Sequence, residues 1–259
     1  VEIREQGAVQ LGFPTSQYLT VVTDYGPVKG ASRGRHVKAS DGRNYYIKGR
    51  SFRPQWRYVA SNEFIAARLG LLLGIPMPRF EIVEFQGAEF FGSEEILNRR
   101  FATSRRAVVD CENALAIYDL VAFDAFVINA DRHDENVFIV ERGKVETLVL
   151  MDHSHAILPE ENRAMNLHFR VNDPISDFQK LAYLPQLIER RDLLYNSISR
   201  IEALTDVQIR DCCENMPSDW LTTLEQDQIA TFLCARRNVL RILFQNDRHT
   251  YPRLSGSTS

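Results

Sequence analysis

Along the chain, apolar and polar positions alternate first with the period of a strand and later with that of a helix. "QYLTVVTDYG" and "RGRHVKASDGRNYYIKG" alternate, and Asp41-Gly42 lies between "RHVKAS" and "NYYIKG", where a hairpin turn belongs. In "SNEFIAARLGLLLGIPMP", Ser61 or Asn62 is placed to cap a helix, and Gly74 followed by Pro76 is placed to stop it. "RFEIVEF" and "GAEFFGSEEI" predict two more strands. After about residue 98 the character changes: "NALAIYDLVAFDAFVI" (113–128) is apolar on most faces, which predicts a buried helix. "NVFIVERGKVETLVLMD" predicts a hairpin turning near Arg142-Gly143. From Leu181 onward helical patterns dominate, with Ile229, Phe232, Leu233, Val239, Leu240 and Leu243 recurring at three- and four-residue spacing. A strand-rich first part with one helix, then a helical part carrying a polar hairpin, predicts a two-lobed α+β fold.

Composition narrows the classes. A chain of 259 residues, 44% hydrophobic and 25% charged, can bury a real core. A formal net charge of −3 argues against an obligate nucleic-acid or membrane binder, and runs such as Arg99-Arg100, Arg105-Arg106 and Arg236-Arg237 read as solvated faces. No apolar run approaches the ~20 residues of a membrane span, and no signal segment opens the chain. Cys111, Cys212, Cys213 and Cys234 form no CxxC pair, so reduced thiols in a cytoplasmic protein are expected and a zinc site is not. The polar tail "RLSGSTS" is expected to be disordered.

The chemistry concentrates in two clusters, "NADRHDENVFIV" (129–140) and "LVLMDHSHAI" (148–157). Asn136 opens the predicted hairpin and Asp152 closes it, so antiparallel pairing brings them together. Asn and Asp offer hard oxygen donors of the kind Mg²⁺ accepts beside phosphate oxygens. Asp131, five residues before Asn136, is placed to orient an attacking hydroxyl or take its proton. That order is the kinase pattern of catalytic Asp, metal-binding Asn and a second metal-binding Asp after a hairpin. The pattern demands a lysine on an upstream strand and a glutamate on the following helix. Lys48 ends "YYIK", and Glu63 is expected in the first turn of the capped helix. "GPVKGASRGR" supplies Gly26, Gly30 and Gly34 for tight turns whose backbone donors could cover phosphates.

"DRHDEN" resembles the DRHxxN catalytic loop of phosphoinositide 3-kinases and their relatives. With "YYIKG", "NEFIAARLGLLLGIPMP", "DRHDENVFI" and "LMDHSHAI" in order, the chain is similar to the HipA-like kinases over about residues 20 to 245. The resemblance implies a protein-kinase-like fold, with a β-rich N-lobe over residues 1–97 and a mainly helical C-lobe over 98–259. It implies a Mg-ATP-dependent phosphotransferase acting on Ser/Thr of a protein. Asp131 would be catalytic, with His133 assisting at the γ-phosphate, and Asn136 and Asp152 would hold the metal. Lys48 would contact the α/β-phosphates and Glu63 would hold it. Gly30, Ala31, Ser32 and Arg33 would form the phosphate loop, with Ser32 a candidate for self-phosphorylation, and Glu95, Ile96 and Leu97 the adenine-binding hinge. The resemblance also implies ATP, an unidentified protein substrate and an antitoxin-like protein as partners, with no direct nucleic-acid or membrane contact. Residues 158–179 would face the substrate. Asp152 is followed by His-Ser rather than Phe-Gly and no APE motif follows, so activation-loop control of the protein-kinase type is not implied.

Taken singly, Lys48 reads as a strand-end lysine, Glu63 as a helix-start acid and the glycines as ordinary turns; their joint order favours the kinase reading. His133-Asp134 with Asp152, His153 and His155 offers a His/Asp metal phosphohydrolase instead. Such centres sit on helices, whereas "HDENVFIV" runs into a strand. A catalytically weak kinase-like binding module is the other alternative, opposed by five intact core positions. A lipid or small-molecule acceptor stays open.

Overall fold

The computed structural model describes residues 18–28, 34–52, 54–158, 164–175, 184–251 and 253. The first alternating segments form β1 (Leu19–Pro27), β2 (Arg35–Ala39) and β3 (Asn44–Lys48), with Gly42 taking φ +83° in the expected hairpin turn. With β4 (Phe80–Phe85) and β5 (Ala88–Glu94) they close a barrel in the order β1-β2-β3-β5-β4. A parallel pairing of Leu19 with Val83 closes it, whereas the other ladders are antiparallel. Alternation decides what fills the barrel: Val37, Ala39, Tyr45, Ile47, Val83 and Phe90 are buried together. Asn44, Tyr46 and Lys48 lie on the other face of β3 and stay half-buried. Gly26, at φ +108°, sits at an irregularity in β1 opposite His36 rather than in a turn.

The next helix, α1 (Val59–Leu72), corrects one expectation. Its N-cap is Tyr58, which makes no side-chain capping bond. Ser61 Oγ donates to Tyr58 O at 3.0 Å. The Asn62 amide donates to Ser154 O and Leu158 O at 2.8 and 2.7 Å and accepts from Leu158 N at 3.2 Å. Both residues are thus interior to the helix, and Glu63 falls in its second turn rather than its first. Gly74, at φ +68°, follows the end of the helix as expected. Every residue from Val59 to Gly70 is buried, because the helix packs against β5 on one side and a later helix on another.

A short connector leads to a second, three-stranded antiparallel sheet of β6 (Arg99–Phe101), β7 (Val137–Arg142) and β8 (Val145–Leu150), turning at Gly143 as predicted. Between β6 and β7 lie α2 (Arg105–Val109) and α3 (Ala116–Phe126); α3 is the expected helix buried nearly all round. Truncating a fully buried residue there, such as Phe123→Ala, costs about 3–5 kcal/mol. The helices α4 (Leu184–Leu187), α5 (Arg191–Glu202), α6 (Asp206–Cys213) and α7 (Thr223–Asn246) complete the described chain. Of the predicted stripe on α7, Ile229, Phe232, Leu233, Leu240 and Leu243 are buried, and Val239 packs half-buried against them.

Long-range polar anchors fix these helices to the rest. The α7 capping box pairs Thr222 with Glu225, whose carboxylate also receives Arg57 Nη2 and the Tyr58 hydroxyl, each at 2.9 Å. Arg236, expected on a solvated face, is instead fully buried, because backbone carbonyls satisfy its guanidinium: it donates to Ala125 O at 2.9 Å, Val171 O at 2.8 Å and Asp173 O at 2.7 Å. It thereby ties the 3₁₀ segment Ala164–Arg170 and the turn after it to α3. All four cysteines are free thiols. Burial pushes the Cys212 thiol up to about 12, so it is an inert core residue. Among the described residues no helix is long and apolar enough to cross a membrane. Arg253 aside, the polar tail lies outside the described residues.

Candidate active site

Three elements converge on one ammonium group. Lys48, at the end of β3, places Nζ 2.7 Å from Glu63 Oε1 on α1 and 2.9 Å from Asp152 Oδ2 after β8. The second oxygen of Glu63, Oε2, accepts His153 N at 3.0 Å, so one carboxylate holds both the lysine and the turn that carries Asp152. Asp152 itself takes a left-handed φ of +59°, uncommon for a residue with a side chain. Ser154 stabilises it there, because both its hydroxyl and its backbone N–H donate to Asp152 Oδ1. Burial opposes every charge in this trio. It would lower the Lys48 pKa, but the Asp152 and Glu63 carboxylates outweigh it and hold the ammonium above its ordinary value. Burial would raise Asp152, yet Lys48 and Ser154 hold it far below the usual carboxylate range. Glu63 goes the other way: burial lifts it, with Asp152 adding to the effect against the pull of Lys48.

The loop between α3 and β7 is organised by Arg132, which has no solvent exposure. Its guanidinium meets both oxygens of Asp124 on α3, at 2.9 and 3.0 Å. Nη1 donates to Asn136 O at 2.9 Å and Met151 O at 2.5 Å, while Nη2 lies 2.8 Å from His153 Nε2. An arginine has no acceptor, so this imidazole nitrogen must accept and the ring proton sits on Nδ1. Burial, and then the Arg132 charge, push the His153 pKa well below its ordinary value and keep the ring neutral. One side chain therefore fixes the two ends of the β7–β8 hairpin where Asn136 and Asp152 stand. Removing one partner of such a buried pair typically costs about 3–5 kcal/mol.

Asn136 Nδ2 donates to Asp131 O at 3.0 Å, which turns its Oδ1 away from that bond. Met151 N donates to Asn136 O at 3.1 Å, bringing Asn136 beside the residue before Asp152, as the hairpin predicted. Asn136 and Asp152 are oxygen donors that suit a hard cation sharing its shell with water and phosphate. No group of three metal-ligating side chains of the His, Cys, Asp and Glu types occurs among the described residues. The Asp131 side chain is 44% exposed and His133 is half-buried.

Gly30, Ala31, Ser32 and Arg33, expected to form the phosphate loop, lie outside the described residues. Their anchors are described: Val28 N donates to Gly34 O at 2.8 Å. A Cβ at Gly34 would meet Ile47 O at 2.8 Å, so only glycine lets the loop leave this close to β3. Glu95, Ile96 and Leu97 form the connector between β5 and β6. Glu95 N donates to Asn44 O, and its carboxylate accepts from Asn44 Nδ2 at 2.9 Å and the Tyr46 hydroxyl at 3.2 Å, with His36 Nε2 3.3 Å away.

Sequence reasoning missed the side chains between connector and lysine. His36 stacks on Tyr46 at 4.9 Å, and the Arg99 guanidinium lies 5.2 Å from the Tyr46 ring centre and 4.5 Å from that of Phe138. Tyr46 was available to a period-two reading, since it stands two residues before Lys48 and shares its face. A separate cavity of about 600 Å³ borders the same connector and is lined by Leu71, Met77, Arg79, Leu97, Val140 and Val149 among others. Lys48, Glu63, Asp131, Asn136 and Asp152 are not in its wall.

The fold is that of solved kinases. The crystal structure of the Helicobacter pylori proinflammatory kinase CtkA matches with a TM-score of 0.61 at 11% identity, covering 86% of this chain and 94% of that one. HipA of Shewanella oneidensis MR-1, solved in a toxin–antitoxin complex with HipB and operator DNA, matches with a TM-score of 0.52 at 14% identity, over 92% of this chain and 70% of that one. At these identities the likeness is one of fold. Comparison with curated proteins gave no significant match. A model of the HipA-like kinase family matches residues 27–251, and the chain belongs to that family of kinase-type phosphotransferases.

Proposed function

We propose that this chain is a Mg²⁺-ATP-dependent phosphotransferase that modifies Ser or Thr hydroxyls of a protein. Residues 1–97 form an N-lobe and 98–259 a C-lobe, with nucleotide between them. The observation that carries the reading is the Lys48 ammonium held between Glu63 and Asp152 at 2.7 and 2.9 Å. A lysine fixed this way is a preformed anchor for α/β-phosphate oxygens.

Bound Mg²⁺ would neutralise charge on the transferring phosphate, with Asn136 and Asp152 as its protein donors. Gly30 to Arg33 cover the phosphates with backbone N–H groups, and Ser32 is the residue there open to self-phosphorylation. Glu95 to Leu97 border the base. Asp131 orients the acceptor hydroxyl and takes its proton as the oxygen bonds to the γ-phosphorus and the bond to ADP breaks. His133 contacts the γ-phosphate. Catalysis here is mostly positioning and charge neutralisation. Because the similar Shewanella HipA is held with HipB, an antitoxin-like protein is the partner class to seek.

The test is a calorimetric titration with ATP, with and without Mg²⁺, on wild type and Asp152→Ala, together with intact-mass measurement of phosphate incorporation. Metal-dependent binding that the variant loses supports the reading. Equal binding by both proteins, or binding by neither, overturns it.

A further inference from the structure

Arg99 opens β6 just after the connector; expected on a solvated face, it turns inward instead and is half-buried. Its backbone is fixed. Asn98 takes a left-handed φ of +54°, Glu141 N donates to Asn98 O at 3.1 Å, and Arg99 itself pairs with Val140 of β7. The guanidinium is held far less firmly. It meets two rings from different sheets, lying 5.2 Å from the centre of Tyr46 on β3 and 4.5 Å from that of Phe138 on β7. Nη2 donates to the Tyr46 hydroxyl at 3.4 Å and Nη1 lies 3.6 Å from Met151 Sδ. The first bond is long and the second ends on a weak acceptor. Among the described residues Arg99 forms no ion pair. Strand alternation sets the place it fills. Tyr46 and Lys48 share a face of β3, and Phe138 stands two residues past Asn136, so each ring lies about 7 Å along the chain from a residue assigned above to phosphate or metal. The connector borders the same end, where Glu95 accepts the Tyr46 hydroxyl at 3.2 Å.

We propose that Arg99 is the residue that sets base affinity: its guanidinium occupies the slot between Tyr46 and Phe138, and a purine base enters by displacing it. This rests on the phosphotransferase reading of the cleft. A planar guanidinium and a planar base both stack on aromatic faces, so the two compete for the same surfaces. The exchange is a side-chain rotation, because the Arg99 backbone stays paired to β7 while the guanidinium leaves, and the barrel need not move against the second sheet. It gives up the two ring contacts and the long bond to the Tyr46 hydroxyl, and it frees both rings for the base. The Lys48 ammonium, held by Glu63 and Asp152, takes no part in it. Arg99 therefore weakens binding of the base part of a nucleotide and leaves the phosphate part alone.

Two measurements test this. The first is a calorimetric titration of wild type, Arg99→Ala and Arg99→Lys with Mg-ATP and, separately, with magnesium tripolyphosphate, which has no base. Arg99→Ala should bind Mg-ATP about threefold to tenfold more tightly than wild type, the size of one ring contact, and tripolyphosphate within about twofold of it. Arg99→Lys keeps the charge but not the planar stacking group, and should fall between the two for Mg-ATP. Equal or weaker Mg-ATP binding by both variants overturns the proposal, because the arginine then holds the base or ignores it. Loss of tripolyphosphate affinity in Arg99→Ala places the guanidinium at the phosphates and overturns it as well. The second measurement follows the Arg99 side-chain resonances of wild type by NMR as ADP is added. Shifted at the start by the two rings, they should move towards ordinary arginine positions; resonances that stay put at saturation overturn the displacement. Mg-ATP bound by none of the three proteins overturns the nucleotide reading itself, whereas binding without the expected order overturns Arg99's part alone, so the two failures are distinguishable.

Discussion

The tripeptide Asp-Arg-His occurs twice, at 131–133 and at 247–249, and each copy leads into a 3₁₀ turn. In the first the arginine has no exposure and the aspartate side chain is 44% exposed. In the second the aspartate side chain is only 12% exposed, and His249 stands 75% exposed beside it at 3.4 Å. The Asp247 backbone closes the end of α7: its N–H donates to Leu243 O at 3.0 Å and its carbonyl accepts Thr250 N at 2.9 Å, which is a capping task. The difference lies in what surrounds the motif. Asp124 and the carbonyls of Asn136 and Met151 draw the first arginine inward and leave its aspartate facing out. The second copy has Pro252 where the first has Asn136. Three letters thus do not make a site; a buried acid and a hairpin do.

The comparison can be broken in graded steps. The largest effect is expected at the aspartates: Asp131→Ala should lower phosphate transfer about 10²- to 10⁴-fold. Asp247→Ala should leave it within about threefold. Equal losses in a transfer assay would erase the distinction. Next comes stability. Arg132→Met leaves Asp124 buried without its partner and should cost about 3–5 kcal/mol in urea unfolding. His249→Ala should stay within about 0.5 kcal/mol.

The smallest effect is a pH slope. The folded protein holds His153 neutral with a lowered pKa, so the unfolded chain binds the extra proton. Its contribution is complete above about pH 6.5 and is lost as pH falls below that, by up to about 1.4 kcal/mol per pH unit. Thermal unfolding between pH 7 and 5 should show that slope in wild type and lose most of it in His153→Gln. His249→Gln should keep it.

Much of the site was legible because it depends on order and alternation. Lys48 ends a strand, and Asn136 and Asp152 open and close one hairpin, so a one-dimensional pattern places them. The misplaced start of α1 has a physical reason. Ser61 and Asn62 have capping side chains, but one bonds back to Tyr58 and the other reaches across to Ser154 and Leu158. That tertiary use was invisible locally. The Arg132 hub was half legible, since an acid at 124 within a helix apolar on all sides requires a buried partner. Which cation would supply it was not. The parallel β1–β4 closure of the barrel joins distant segments, and no local spacing encodes it.

Glu225 joins two helices whose partner residues lie 168 positions apart: it caps α7 and binds Arg57 and Tyr58 at the threshold of α1. A change at Glu225 strands both Arg57 and Tyr58, whereas a change at either of those removes one bond to the carboxylate. Through descent these positions should therefore drift together, and a chain that has replaced Glu225 should have replaced Arg57 as well. The helix bearing Glu63 is thus held at its start by the last long helix and, through Glu63, to Lys48 of the barrel.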